Sequence, residues 1–179
     1  MPRNPIQVAA LFALSGAASF GLVWAWDSLF YYAGSWVFNL DGIFFSVMAA
    51  YLFVPSRKLW GIVILLVDVV WIASAQSAAY LVANTHSNDY FSMAVGGAVG
   101  GLGVTLSVGL GSHRLLSLRS LALVTVVGSL AALPFTWWVR RDSKLSGFAC
   151  FVVWQAMVGT TLWVRNSPIR ELPGTAPNR

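Results

Sequence analysis

Six long apolar runs, separated by short polar connections, constrain this chain more than any other feature. They cover approximately residues 6–26, 36–54, 60–83, 91–111, 120–139 and 147–164. As helices rising about 1.5 Å per residue, all six match the ~30 Å hydrocarbon core of a bilayer. Backbone polar groups in hydrocarbon must be satisfied within the segment, which a helix does and an open strand does not. The expected fold is therefore all-α: a polytopic integral membrane protein, a bundle of about six transmembrane helices forming one domain over residues 1–165. Residues 166–179 contain Pro168, Pro173 and Pro177 and read as a disordered tail.

Composition agrees. Only 9% of the 179 residues are charged and 58% are hydrophobic, whereas a soluble domain is about 25% charged. At about 20 residues per crossing, six spans leave no room for a separate soluble domain. The net charge of +5 is not a nucleic-acid signature, because the cations lie singly or in pairs between apolar runs. There they orient helices in the bilayer. With the N-terminus inside, the inner segments hold Arg3, Arg57, Lys58, Arg114, Arg119, Arg165, Arg170 and Arg179. The outer segments hold Arg140, Arg141 and Lys144. That distribution predicts a plasma (inner) membrane protein with both termini in the cytoplasm. Trp24, Trp26, Trp36, Trp137 and Trp138 then fall at the outer interface, and Trp60 and Trp163 at the inner one.

The first run begins with Arg3 and contains the small residues Ser15-Gly16-Ala17-Ala18, an order shared with signal peptides. Its apolar character continues to Trp26 without a polar break, so an uncleaved first span is expected. The first outer connection, residues 27–35, is aromatic-rich and reads as an interfacial helix or a lid. Pro134 is expected to kink the fifth run.

The inventory of reactive groups excludes most membrane chemistry. Lys58 and Lys144 lie in loops, so no lysine is placed to form a Schiff base within the membrane. His86 and His113 lie at opposite faces, which removes a bis-histidine haem or di-iron site. Cys150 is the only cysteine. No hydrolase, zincin or phosphate-loop motif occurs. No catalytic residue, metal site or cofactor is expected, and the chain does not read as an enzyme.

Asp68 is the one ionisable residue deep within a span. Such a group costs about 2.5–3.5 kcal/mol on insertion scales and marks either a functional site or a hydrogen-bonded structural contact. Helical spacing places Asp68, Trp71, Ala75, Gln76 and Ala79 on one broad face. Trp154 and Gln155 lie at matching depth in the last run. Asp68, Gln76, Gln155, Trp71 and Trp154 are thus expected to line one polar, aromatic-walled pocket for a small molecule. The competing reading of the glutamines is that they tie helices together.

Small residues mark contact faces. Gly96, Gly97, Gly100 and Gly101 form two overlapping G-x-x-x-G patterns, and Ala9, Ala13 and Ala17 recur once per turn. Both allow close helix approach, within the molecule or against a membrane-protein partner or second copy. With six spans in about 180 residues, this alanine stripe and a long first outer loop, the layout resembles the substrate-binding subunits of energy-coupling-factor vitamin transporters. In that family the first helix docks a transmembrane partner through its alanines, and the first loop covers the ligand. The resemblance extends over the whole chain as one of layout. Two functions follow as expectations: a small-solute binding or transport component, or a non-catalytic accessory subunit of a larger membrane complex.

Overall fold

The computed structural model describes residues 4–29, 42–84, 88–136 and 144–167. Among them run six helices of more than ten residues. These are α1 (Pro5–Leu29), α2 (Ile43–Phe53), α3 (Trp60–Asn84), α4 (Asp89–Gly109), α5 (Leu118–Ala132) and α6 (Lys144–Asn166). No strand occurs among the described residues. Short 3-10 turns, Arg57–Leu59 and His113–Leu116, lead into α3 and α5. The all-α bundle is therefore the observed fold.

Local chemistry sets several helix ends. Asn88 caps α4 by accepting the Tyr90 N–H, and Ser117 caps α5 by accepting that of Ser120. At the far end of α5, Pro134 has no N–H to give to the carbonyl of Leu130. The Leu133 N–H takes that carbonyl instead, at 3.2 Å, and α5 stops at Ala132 before helical geometry resumes at Phe135. The break falls where the proline predicts it.

Four helices, α1, α3, α4 and α6, are long and apolar enough to cross a membrane. The described parts of α2 and α5 have 11 and 15 residues, about 16 and 22 Å of helix, shorter than the runs at 36–54 and 120–139 suggest. The missing ends of those runs, residues 36–41 and 137–139, fall outside the described residues, as do most of the 27–35 connection and the tail beyond Ser167.

Neighbouring helices alternate in direction. Residue pairs across each contact run in opposite order: Ser46 with Asp68 for α2/α3, Val70 with Gly103 and Ser74 with Gly96 for α3/α4. The same holds for Gly97 with Gly128 and Gly109 with Leu116 in the α4/α5 hairpin. Phe20 with Phe148 and Phe12 with Gly159 show it for α1/α6. Because α6 packs on both α5 and α1, the helices close into a ring. Pro5 and Asn166 lie at one end, here called proximal, with the α2–α3 and α4–α5 turns. At that end Ser112 Oγ bonds Asn166 Oδ1 and Arg165 Nε donates to Ser120 Oγ at 3.0 Å.

The pattern of exposure is that of a lipid-facing bundle. Leu65 is 64% exposed and Leu130 56%, and Ile62, Val69, Leu102, Leu106, Val126 and Met157 also face outward. Ser15, Ser19, Ser46, Thr105, Ser107 and Gln155 are buried. In lipid no hydrophobic force separates outside from inside, so helices associate through close packing and interhelical hydrogen bonds.

Glycines carry the closest packing. The two G-x-x-x-G patterns face different neighbours. Gly96 and Gly100 lie against Ser74 of α3, and Gly97 and Gly101 against the α5 backbone at Gly128 and Val124. Both patterns thus meet helices of the same molecule. On α1 the face that meets α6 is Phe12, Ser15, Gly16 and Ser19. Ala9, Ala13 and Ala17 flank that face and are half-buried. A Cβ on Gly16 would fall 2.7 Å from the Phe151 carbonyl oxygen, so Gly16, not the alanine stripe, sets this crossing.

Candidate binding cavity

The bundle is held open on one side of its centre. A cavity of about 410 Å³ lies between α3, α4, α5 and α6, from mid-membrane toward the distal end. Its aromatic wall is Trp71, Phe135, Phe151 and Trp154. Its other walls are small or flexible side chains, notably Ser74, Ala75, Ala78, Ala79 and Met93, with Gly96 and Gly97 at the base. Among the described residues none of those lining it is ionisable.

Trp154 is the centre of this arrangement. Its ring sits edge-on to Trp71, with centroids 5.2 Å apart, and tilts against Phe45 at 5.6 Å. Its indole N–H donates to the Gly128 carbonyl at 3.2 Å. Gly100 makes room for it, since a Cβ there would come within 3.0 Å of the indole. One residue of α6 thus touches α2, α3, α4 and α5. Trp71 also packs on Phe151, with centroids 5.6 Å apart. The indole N–H of Trp71, unlike that of Trp154, has no hydrogen-bond partner among the described residues. The Ser74 hydroxyl is already committed as a donor to the Gly96 carbonyl, at 2.6 Å.

Of the five residues expected to share a pocket, Trp71 and Trp154 do so and three do not. Gln155 is fully buried but lies about 100° further round α6 than Trp154, which turns it toward α1. There its Nε2 donates to Ser19 Oγ at 3.2 Å, and Ser15 Oγ lies 2.6 Å from its Oε1. Gln155 therefore ties α6 to α1. Gln76 is exposed. It lies about 24 Å along α3 from Trp60, near the distal end, where its amide can reach the interface.

Asp68 is part-buried and faces the start of α2. Ser46 Oγ lies 3.2 Å from its Oδ1 and 2.6 Å from the Gly42 carbonyl. A Cβ on Gly42 would fall 2.7 Å from that carboxylate oxygen. The carboxylate thus lies against the N-terminal end of α2, where unpaired N–H groups and the helix dipole favour negative charge. That location gives an intramembrane Asp a structural partner.

Sequence reasoning missed Ser74, Met93, Phe135 and Phe151 as wall residues. One signal was present: Ser74, Ala75, Ala78 and Ala79 form a small-residue face on α3. A small-residue face on α3 opposite the α4 glycines leaves space unless a large side chain fills it. Among the described residues no group of three or more His, Cys, Asp or Glu side chains could hold a metal.

The chain matches no protein-family model, no curated protein and no solved structure. Fold and surface define its class: an α-helical integral membrane protein with apolar outer faces, polar groups turned inward and an aromatic cavity between four helices.

Proposed function

We propose that this protein is the binding component for a small molecule within the membrane, held in the cavity between α3 and α6. The observation that carries the reading is the cavity itself. Its size and its aromatic lining, with few polar groups, match the character of small-molecule sites, which span roughly 300–1,000 Å³. Trp71 and Trp154 are the residues assigned to the ligand. Asp68 and Gln155 are assigned to helix packing and Gln76 to the interface. Such a component serves binding alone or the binding step of transport.

The accessory-subunit reading rests on contact faces for another protein. Both glycine patterns are already occupied by α3 and α5, which leaves it less support. For orientation, the eight inner cations against three outer ones favour a cytoplasmic proximal end, with both termini there.

The test is native mass spectrometry of protein extracted gently from its own membrane. The expected result is a discrete small molecule on the wild type and its loss from Ala75→Trp, which fills the cavity from its α3 wall. Wild-type protein that carries no small molecule but a stoichiometric second protein would reject this reading in favour of the accessory one.

A further inference from the structure

The cavity also constrains the chemistry of its occupant. Trp71 lies at the midpoint of α3, which spans Trp60–Asn84, and so at mid-membrane depth. An N–H left unpaired in hydrocarbon is unfavourable, since neither lipid chains nor bulk water can accept from it. Two other tryptophans, one proximal and one central, meet this demand within the protein. Trp60 donates to the Val54 carbonyl at 2.9 Å and Trp154 to that of Gly128. Trp71 makes no such bond among the described residues. Among the described residues the cavity wall otherwise offers aromatic rings, alanines and a methionine, with no charge to neutralise an ionised ligand. Burying an unpaired ion there is far more costly than burying a neutral group.

We infer that the ligand is an uncharged, largely apolar molecule bearing one accessible oxygen acceptor, such as a carbonyl, which receives the Trp71 indole N–H while its apolar body packs against Trp154 and Phe151. This inference rests on the cavity being a binding site. It assigns Trp71 two tasks, an aromatic wall and the single directional contact that orients the ligand. Hydrophobic contact then supplies general affinity, and the hydrogen bond discriminates between oxygenated molecules and plain hydrocarbons.

The experiment uses the full chain in lipid nanodiscs with its tryptophan indoles isotopically labelled for NMR. Three probes of nearly equal shape are titrated: acetylnaphthalene, its hydrocarbon twin ethylnaphthalene, and the anion naphthoate. Both neutral probes are expected to shift the Trp71 and Trp154 indole signals saturably. The ketone should bind roughly two- to tenfold more tightly than the hydrocarbon and move the Trp71 N–H proton downfield. Trp71→Phe keeps a ring in the wall and removes the donor, so the preference should vanish while ethylnaphthalene still binds. An unchanged signal from the remote Trp60 indole, bonded to the Val54 carbonyl, verifies that this variant is folded. Equal binding of the two neutral probes with no downfield shift overturns the inference and leaves the cavity reading standing. Naphthoate binding as tightly as the ketone overturns the requirement for a neutral ligand. Failure of all three to perturb either tryptophan overturns the inference and the cavity reading together.

Discussion

Gly97→Ala tests the physical basis of this fold most directly. A Cβ built on Gly97 lies 2.3 Å from the Gly128 carbonyl oxygen and 2.5 Å from the Ala132 Cβ. Ordinary contact needs about 3.5 Å, so α4 and α5 must part locally by about 1 Å. A gap of that size forfeits roughly a quarter to a half of the dispersion attraction at each affected contact. Overpacking of this kind costs about 1–3 kcal/mol. In a soluble helix alanine would recover about 0.5–1 kcal/mol over glycine. In a bilayer the separated helices remain helical, so little of that offset is expected. Gly21→Ala and Gly61→Ala are the matched controls, because a Cβ at either meets nothing within 4 Å. The assay is reversible unfolding in mixed micelles by added dodecyl sulfate, followed by tryptophan fluorescence. Gly97→Ala should lose about 1–3 kcal/mol and the controls less than about 0.5. Gly128→Ala strikes the same crossing from the other side, 2.5 Å from the Gly97 carbonyl oxygen. One separation relieves both clashes, so the double variant should cost at least about 0.5 kcal/mol less than the sum of the singles. Equal midpoints for Gly97→Ala and the controls would refute the reasoning. So would a loss that depends on protein concentration, which would place the glycine face between copies.

Three further outcomes are expected. Gln155→Leu should destabilise by about 0.6–2 kcal/mol through loss of the interhelical bonds to Ser15 and Ser19, and Ser19→Ala should add little on top of it, as a double-mutant cycle in the same assay will show. Asp68→Asn keeps an oxygen for Ser46 and should leave small-molecule occupancy in native mass spectra unchanged; lost occupancy would return the carboxylate to the binding site. In a Cys150→Ala background, Ser56→Cys and Ser117→Cys should react with an impermeant maleimide from the same membrane face and Asn84→Cys from the opposite face, as the alternating helix directions require.

The membrane fold was legible because it depends on length and polarity, which a linear sequence displays. Run 60–83 corresponds to α3 within a residue, and Pro134 marks the break after α5. The glycine patterns also announced close packing, but not their partners. Gly96 and Gly97 are adjacent in sequence and face different helices, a fact that needs the ring of neighbours. Gly16, Gly128 and Gly159 were not singled out because an isolated glycine has no pattern. Their roles come from what crosses over them: the α6 backbone, the α4 backbone and the Phe12 ring.

The candidate site was only partly legible for a related reason. Polarity drew attention to Asp68, Gln76 and Gln155, on the premise that a polar group within a membrane marks a ligand. In lipid, polar groups are also the means by which helices recognise one another, and two of these three are used that way. Asp68 meets the start of α2, and Gln155 meets two serines of α1. The groups left facing open space are aromatic: Trp71 and Trp154 were legible through their register and depth beside those polar groups, whereas Phe135 and Phe151 have no such neighbour to mark them in an apolar run. What separates Trp71 from Trp60 and Trp154 is an absence, an indole N–H with no acceptor among the described residues, and it emerges only when each donor is followed to its partner. Among the described residues the Thr160 hydroxyl is also buried without a partner, but it does not line the cavity, whereas Trp71 does, and that position makes its unmatched donor the one that bears on a ligand.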